Sequence, residues 1–413
     1  MTLIDQCKKL KEAAKRLAYA SGQDKNEVLS KLMNQLEQQT AYILEENRKD
    51  LLAAREAGMK ESLIDRLALN EGRIRGMIEA LDTVRAFPDP IWSSQQLWTT
   101  EDGLVISKMT VPLGVIGIIY ESRPNVTVDA FSLALKSGNG ILLRGSSSAL
   151  RSNRALVEII RRALADSKIS PEVVQLIEDT DYGIIDQMIR LNEYLDVIIP
   201  RGGANLIQRV VQNATVPTIQ TGVGNCHIFV DESADIEDTL SIVDNAKIQR
   251  PGTCNSLETL LVHAAIADRL LPRLAERLAD RVELRTCERS FALVPGAVAA
   301  DEEDWATEYL DLILAIRIVN SLEEAMDHID RFGSHHSEAI LTKDINHAQI
   351  FQRQVDAAAV YVNASTRFTD GGVFGFGGEM GISTQKIHVR GPVGINDLVS
   401  CKYTVLGKGQ TRP

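Results

Sequence analysis

Cys254 is the residue of this chain whose type and setting best fit covalent chemistry. It lies in the stretch 249–256, among small and polar residues, between a helix-like segment and a strand-like run. A nucleophilic cysteine needs exposure, a deprotonated sulfur and donors for the charge that its attack creates. Gly252 lets the backbone come close to a ligand, and Arg250 is a nearby cation. We therefore predict that Cys254 is a nucleophile, although most free cysteines are core residues.

The remaining cysteines are predicted to be structural. They are Cys7, Cys226, Cys287 and Cys401. Their spacing is irregular and does not form a disulfide framework, and the first residues lack the apolar core of a signal peptide. We therefore expect a cytoplasmic protein.

Length and charge restrict the kind of protein further. A chain of 413 residues is longer than one ordinary core supports, so two or three domains are expected. The 45 basic and 56 acidic residues leave a net charge of −11, which argues against nucleic acid or an anionic membrane as the main partner. An anionic ligand must therefore be bound by a local group of cations and amides.

The pattern along the chain predicts the elements that would position Cys254. Residues 3–87 have apolar positions at helical spacing, and residues 97–109 resemble a hairpin with an Asp-Gly turn. Strand and helix patterns then alternate from 113 to 212 and again from 227 to 319, which predicts parallel strands joined by helical crossovers. The second series would end at 358–363, before a glycine-rich stretch at 371–381 and a strand-like tail.

A candidate phosphate site follows one of the predicted strands. Arg144-Gly145-Ser146-Ser147-Ser148 comes between a strand and a helix, where hydroxyls and amides at a helix N-terminus can hold a phosphate beside an arginine. The alternative is a simple helix cap. No G-x-G-x-x-G follows any predicted strand, so the usual dinucleotide fingerprint is missing.

Four motifs give the chain a resemblance to a known family. They are Tyr120-Glu121-Ser122-Arg123-Pro124-Asn125, Pro200-Arg201-Gly202-Gly203, Arg250-Pro251-Gly252-Thr253-Cys254-Asn255 and the run from Val362 to Gly372. With the apolar strand after Pro112, they resemble the aldehyde dehydrogenase superfamily and, within it, the gamma-glutamyl phosphate reductase family. The resemblance covers nearly the whole chain.

This resemblance implies an aldehyde-dehydrogenase-like α/β fold. It would have two doubly wound α/β domains, a small β oligomerisation flap and a helical N-terminus. Residues 1–95, 112–225 and 360–390 would form the cofactor-binding domain, and residues 226–359 the catalytic domain with the thiol. The hairpin 96–111 and the tail 391–413 would form the flap of a homo-oligomer.

The resemblance also implies a reaction. It is the NADPH-dependent reduction of L-glutamyl 5-phosphate to L-glutamate 5-semialdehyde and phosphate through a thioester on Cys254, the second step of proline biosynthesis. Hydrolytic aldehyde dehydrogenases carry a glutamate that activates water, but the corresponding stretch 218–224 has no carboxylate here. Without that base the thioester persists long enough to meet hydride, as a reductase requires.

Cofactor and oxyanion roles follow from the resemblance at matching positions. Asn125 matches a donor to the oxyanion, together with the Cys254 backbone N–H; the alternative is a helix cap after Pro124. Glu308 matches the glutamate that holds the nicotinamide ribose; the alternative is a solvated acid in an acidic run. The residues assigned to NADPH are Arg144, Gly145, Ser146, Ser147, Ser148, Gly202, Gly203 and Glu308.

The substrate carries a phosphate and an α-carboxylate, so cationic donors must lie near it. We nominate Arg123 and Arg367, followed by His388 and Arg390, and we assign Glu121 to the substrate ammonium group. For each arginine alone, a surface ion pair is the alternative.

Two other functions compete with this reading. His328, His335 and His336 lie within one short stretch and suggest a metal-dependent oxidoreductase resembling histidinol dehydrogenase, although their spacing is unlike that of usual zinc sites. The other competitor is a non-catalytic scaffold that binds glutamate 5-kinase. The sequence assigns no metal ligand.

Overall fold

The computed structural model describes residues 2–412 of the chain, without the side chains of Ser62 and Ala204. The chain forms two compact units. The first unit consists of Met1–Thr221, Gly375–Gly381 and Pro392–Pro413, and the second unit consists of Gly222–Phe374 and Ile382–Gly391. The assignment of cofactor binding and catalysis to separate domains stays a prediction.

Five helices open the first unit, as the apolar spacing predicts. They are α1 (Leu3–Leu17), α2 (Gly22–Gln38), α3 (Thr40–Glu56), α4 (Glu61–Leu67) and α5 (Glu71–Ala86). Thr2 and Ser21 begin α1 and α2 through capping boxes with Asp5 and Asp24, which satisfy backbone N–H groups that have no partner inside the helix.

A hairpin follows the helices, and its prediction is confirmed. Strands β1 (Ser94–Thr99) and β2 (Val105–Pro112) pair antiparallel. The predicted tail strand, Val399–Leu406, pairs antiparallel with the other edge of β2. All residues of β1 and nearly all of the tail strand are exposed, so this three-stranded sheet has little core of its own.

A parallel sheet organises the rest of the first unit. Its strands and helices alternate as β3 (Val115–Tyr120), α6 (Asn125–Lys136), β4 (Gly140–Arg144), α7 (Leu150–Ala165), β5 (Val174–Leu176), α8 (Gly183–Met188), β6 (Val197–Arg201) and α9 (Ala204–Asn213). The strand order is β5-β4-β3-β6, and neighbouring strands are parallel. Since the carboxyl ends of parallel strands share one edge, the loops after β3, β4 and β6 gather there.

The second unit has a seven-stranded sheet. Its elements are β7 (Cys226–Val230), α10 (Ile236–Ile248), β8 (Leu257–His263), α11 (Ala264–Leu278), β9 (Glu283–Thr286), α12 (Glu288–Phe291), β10 (Val298–Ala299), β11 (Ile313–Val319), α13 (Leu322–Phe332), β12 (Ser337–Leu341), α14 (Ile345–Gln354) and β13 (Ala359–Val362). The strand order is β10-β9-β11-β8-β7-β12-β13, and the paired strands are parallel. Two short strands, β14 (Ile382–Ser383) and β15 (Gly391–Pro392), precede the tail strand β16.

Helices cover both faces of this second sheet. Ile228 and Val230 of β7 pack in one apolar cluster with α10 and α11, whereas Phe229 between them packs in another with α13 and α14. Alternate residues of a strand point to opposite faces, so β7 contributes to two cores at once. This confirms a doubly wound α/β arrangement. Within residues 2–412, no helix combines the length and the apolar character needed to cross a membrane.

Candidate active site

Cys254 lies in the loop that joins α10 to β8 in the second unit, residues 249–256, which is called the thiol loop. The residue is half-buried, so it is not enclosed in apolar packing. Beneath it, the fully buried thiol of Cys226 donates a hydrogen bond to the Cys254 carbonyl oxygen, at 3.1 Å. Burial, and then the charge of Glu338, raises the pKa of Cys226 well above its ordinary value, so Cys226 stays a protonated donor. The exposure of Cys254 fits a nucleophile.

Gly224 brings a second stretch of backbone against Cys254. A Cβ atom on Gly224 would overlap the Cys254 carbonyl oxygen, so a side chain does not fit at this position. The Gly224 N–H donates to Glu308 Oε1 at 2.7 Å. Glu308 is therefore a half-buried acceptor beside the thiol loop, not a fully solvated acid. Its role toward a nicotinamide ribose stays a prediction.

Arg367 is distant from the thiol loop in sequence, and its guanidinium donates hydrogen bonds to residues of this loop. Its Nε donates to Gln249 Oε1 and its Nη1 to Thr253 Oγ1, both at 3.0 Å, and Nη1 also bonds Asn255 Oδ1. The Asn255 amide in turn donates to the carbonyl oxygens of Thr369, at 2.9 Å, and Arg367, at 3.3 Å. Burial, and then repulsion from Arg250, lowers the pKa of Arg367, but a guanidinium stays charged at neutral pH. The structure thus places a nominated substrate cation against the Cys254 loop.

The other cation nominated in the second unit has an acidic partner. Arg390 Nη2 lies 2.8 Å from Asp356 Oδ1, and Lys386 contacts the same carboxylate. His388 lies between Lys386 and Arg390 in the sequence, and its side chain is exposed. Arg390 therefore forms the ion pair that was its alternative, and the substrate roles of Arg390 and His388 stay predictions.

Asn125 begins α6 in the first unit. Pro124 is the N-cap, and no side chain makes a cap hydrogen bond, so the interpretation of Asn125 as a cap is wrong. Its Nδ2 instead donates to Asp129 Oδ2, one turn later, at 2.9 Å. Burial raises the pKa of Asp129 to about 6, although the Asn125 hydrogen bond and the charge of Arg201 lower it. Arg123 is half-buried just before this helix.

Glu121 lies in the loop after β3 and contacts the Gly202-Gly203 pair that was assigned to the cofactor. Its Oε2 accepts from the Gly203 N–H at 2.9 Å, and a Cβ on Gly202 would collide with the same carboxylate. Gly203 is the N-cap residue of α9, where backbone N–H groups point outward. Glu121 and the Gly202-Gly203 pair therefore lie together at the carboxyl edge of the first sheet.

The predicted phosphate loop also lies at this edge. Arg144 is the last residue of β4, and Ser147 begins a 3-10 turn that leads into α7. Arg144 is buried, and it donates to the Gly145 and Thr180 carbonyl oxygens, each at 3.1 Å. Ser146 and Ser148 bond each other through their hydroxyls, at 2.7 Å, and Ser146 makes no helix-cap bond. The hydroxyl pair is thus not a helix cap. Arg144 stabilises the loop through its hydrogen bonds to backbone carbonyl oxygens.

The three histidines of the competing metal site have separate environments. His328 packs its ring against Trp305 and His227, and burial, followed by the charge of His227, lowers its pKa to about 2. His336 is buried beside Ser337, and burial lowers its pKa to about 4. His335 bonds the Asp356 carbonyl oxygen. Across residues 2–412, no group of three or more metal-binding side chains converges.

The four cysteines predicted to be structural do not share one environment. Cys7 and Cys226 are buried, as predicted, and Cys287 is half-buried. Cys401 contradicts the prediction because it is exposed on β16, whose residues have no core to face.

Some contacts of Cys254 in the second unit and of Asn125 in the first unit were not predicted from the sequence. Cys226, Gly224 and Asp129 contact Cys254 or Asn125 as described above. Asp129 could have been found, because residues four apart on a helix are neighbours. The contacts of Cys226 and Gly224 with Cys254 have no local pattern, since about thirty residues separate the partners.

Comparisons with known proteins extend these observations. The sequence profile described as the aldehyde dehydrogenase family matches residues 4–290. Gamma-glutamyl phosphate reductases from Alkaliphilus oremlandii and Thermotoga maritima are 60% identical over 410 residues and 54% identical over 411 residues; each alignment covers 99% of this chain and 99% of the relative.

Solved structures show the same relationship. The crystal structure of the gamma-glutamyl phosphate reductase from Thermotoga maritima matches with a TM-score of 0.96 and 53% identity, covering 100% of both chains. An acetylating aldehyde dehydrogenase from Geobacillus thermoglucosidasius matches with a TM-score of 0.73 over 99% of this chain and 97% of that one. Its identity is 15%, so this second likeness concerns the fold alone. The predicted aldehyde-dehydrogenase-like α/β fold is confirmed.

Proposed function

This chain belongs to the aldehyde dehydrogenase family, and we propose that it reduces L-glutamyl 5-phosphate to L-glutamate 5-semialdehyde and phosphate with NADPH, a step of proline biosynthesis. The observation that carries the proposal is a half-buried thiol, Cys254, in a polar loop braced by the guanidinium of Arg367. Full-length relatives that share more than half of their residues with the chain bear the name of this enzyme.

The proposed chemistry begins at the sulfur of Cys254. The thiolate attacks the acyl carbon of the substrate, a C–S bond forms, and the C–O bond to the phosphate breaks, so that phosphate leaves with the electron pair. When bound, NADPH supplies the hydride that reduces the thioester carbon. The C–S bond then breaks, which releases the aldehyde and returns the thiolate to Cys254.

Oxyanion stabilisation is assigned to the Cys254 backbone N–H and the Asn125 side-chain amide. The proposal for Asn125 is supported by its amide nitrogen, which Asp129 holds as a donor. Removal of one such donor typically costs about 10²- to 10³-fold in turnover.

The cofactor is expected at the carboxyl edge of the first sheet. Aldehyde dehydrogenase family enzymes use nicotinamide cofactors, and the donors at this edge fit one. The Ser146 and Ser148 hydroxyls suit phosphate and ribose oxygens, and Gly203 is proposed beside them although its N–H already donates to Glu121. Ser147, Gly145, Gly202 and Arg144 complete the proposed set, with Glu308 toward the nicotinamide ribose.

The substrate groups are assigned by charge. Arg367 and Arg123 are proposed for the phosphate and carboxylate, followed by Arg390 and His388, and Glu121 for the ammonium group. The position of Arg367 on the thiol loop supports its assignment most directly.

An assay in the oxidative direction tests this function. With glutamate 5-semialdehyde as substrate, the purified chain is expected to reduce NADP only when phosphate or arsenate is added. One of these anions must accept the acyl group from the thioester before Cys254 can react again. Absorbance at the NADPH band gives the rate, and parallel reactions with NAD measure cofactor preference. Reduction without added phosphate would indicate an acid-forming dehydrogenase, and loss of activity on chelation would favour the metal-dependent alternative.

We also propose that the chain forms a homo-oligomer through the sheet of β1, β2 and β16. Large apolar side chains are exposed on this sheet, among them Leu97, Trp98, Tyr403, Val405 and Leu406. Exposed apolar groups in such numbers are typical of a surface that another protein covers.

A charged substitution tests this interface. Leu406→Asp is expected to shift the chain toward the monomer, because it places a charge where apolar contact would form. Light scattering coupled to size exclusion measures the mass. Ile345→Asp, at an equally exposed aliphatic position on α14, serves as the control and should leave the mass unchanged. An unchanged mass in both variants would contradict the proposed interface.

A glutamate 5-kinase is proposed as a partner that supplies the acyl phosphate, and the cytoplasm as the location. The kinase proposal is supported by the lability of acyl phosphates in water. The location is supported by five cysteines that are all unpaired in the described residues.

A further inference from the structure

The amide of Asn125 has a fixed partner on its own helix. Asn125 is the first residue of α6, and its Nδ2 donates to Asp129 Oδ2 at 2.9 Å. Residues four apart lie on the same face of a helix, so the two side chains meet without any distortion of the backbone. Both residues are half-buried, which keeps water from competing fully for the bond.

The chemical difference between the two ends of an asparagine amide makes this contact informative. The nitrogen has two N–H donors, whereas the oxygen only accepts. If the amide rotated by half a turn, it would present its oxygen where the nitrogen had been. An oxyanion would then face a lone pair rather than an N–H, and stabilisation would become repulsion.

Asp129 selects one of these two orientations. An ionised carboxylate only accepts hydrogen bonds, so it pairs with the nitrogen of Asn125 and repels the oxygen. Arg201, at the end of β6, is a cation whose charge favours the ionised form of Asp129. The pKa of about 6 leaves Asp129 mainly ionised at pH 7.5. One N–H of Asn125 is thereby occupied, and the second N–H on the same nitrogen keeps a defined direction.

We propose that Asp129 is a positioning residue, which holds the Asn125 amide with its nitrogen toward the oxyanion formed at the substrate carbonyl. The inference rests on the proposed function, since Asn125 is the donor in that mechanism. It goes beyond that function because it assigns a role to a carboxylate that takes no part in the bond changes.

An ordinary helix pair is the competing explanation. A side-chain pair four residues apart stabilises a helix slightly, and such a pair by itself has no effect on turnover. Both explanations therefore include the same Asn125–Asp129 contact, but only the positioning role predicts that loss of the contact lowers kcat.

A double-mutant cycle separates them. The variants are Asn125→Ala, Asp129→Leu and the double variant, assayed for phosphate-dependent NADP reduction by glutamate 5-semialdehyde. Leucine has nearly the shape of aspartate without an acceptor. We expect Asp129→Leu to lower kcat about 10- to 100-fold with little change in KM, and Asn125→Ala to lower it about 10²- to 10³-fold. The double variant should be no slower than Asn125→Ala within about twofold, because a misplaced amide cannot matter once the amide is gone.

Two further variants complete the test. Asp129→Asn retains an acceptor oxygen and should recover part of the kcat lost in Asp129→Leu. Ser132→Ala removes a hydroxyl that donates to the Asp129 carbonyl oxygen within the same helix, at 2.8 Å, and should keep wild-type kcat. Thermal unfolding of each variant shows whether the helix is intact.

The outcomes distinguish the positioning role from the function itself. The positioning role would be overturned if the fold-loss of kcat in the double variant equalled the product of the two single fold-losses. Wild-type kcat in Asp129→Leu would overturn it too. Wild-type kcat in Asn125→Ala would overturn it as well, because Asn125 would not be the donor. If the wild-type chain shows no phosphate-dependent reaction, the proposed function fails, and this result is independent of the cycle.

Discussion

Replacement of Cys254 by alanine is expected to lower kcat for phosphate-dependent NADP reduction by about 10⁴-fold or more, because no other group in the mechanism forms the thioester. The folded state should be retained, since Cys254 is half-buried in a loop and its removal opens no core cavity. Steady-state rates with glutamate 5-semialdehyde, together with thermal unfolding, measure both effects. Mass spectrometry after brief alkylation of the wild type should find the label on Cys254.

Cys287→Ala is the matched control, because both cysteines are half-buried in the second unit. Burial raises the pKa of Cys287, but hydrogen bonds from the Ser290 hydroxyl and from nearby backbone N–H groups lower it further, so the net shift is downward. The lowered pKa gives Cys287 some thiolate character, which makes this residue a strict control for the proposed nucleophile. Wild-type kcat in Cys287→Ala and loss in Cys254→Ala are expected; the reverse pattern would refute the proposed mechanism.

Gly224→Ala is expected to lower kcat about 10²-fold without touching a reacting group. The added Cβ would overlap the Cys254 carbonyl oxygen, so the thiol loop must move, and a misplacement of about 1 Å costs roughly that factor. Overpacking of this kind typically also costs about 1–3 kcal/mol of stability. Rates and chemical denaturation of the purified variant measure the two effects separately.

Gly76→Ala provides the comparison for Gly224→Ala. Gly76 is exposed in the interior of α5, and a Cβ there meets nothing within 4 Å. Alanine at such a position is expected to stabilise the protein by about 0.5–1 kcal/mol and to leave kcat unchanged. If Gly224→Ala kept wild-type kcat and stability, the close approach of its backbone to Cys254 would be irrelevant to catalysis.

The alternating elements were predictable where burial alone decides the pattern. Strand β3 is buried along its whole length and its sequence is an apolar run, which parallel sheets covered on both faces require. The hairpin was predictable for a different reason, since its Asp-Gly turn is a local signal.

Strand β12 shows the limit of predicting buried strands from apolar runs. It begins with Ser337 and Glu338, so its pattern is not that of a buried strand, yet all of its residues are buried. Glu338 Oε2 accepts from the His227 N–H at 2.8 Å and lies 3.1 Å from His227 Nδ1, on the neighbouring strand. A partner more than a hundred residues away thus makes burial of the acid possible, and no local pattern records it.

The sequence by itself determined the parallel α/β elements, the family resemblance and the choice of Cys254, because each depends on residues that are close along the chain. Tertiary structure alone decided what surrounds the thiol. Arg367 bonds Thr253 of the Cys254 loop across 114 residues, Gly224 packs on Cys254 across 30, and Glu308 accepts from Gly224 across 84. These contacts arise from the packing of distant segments, and hydrogen bonds and close packing between such segments leave no periodic trace in sequence.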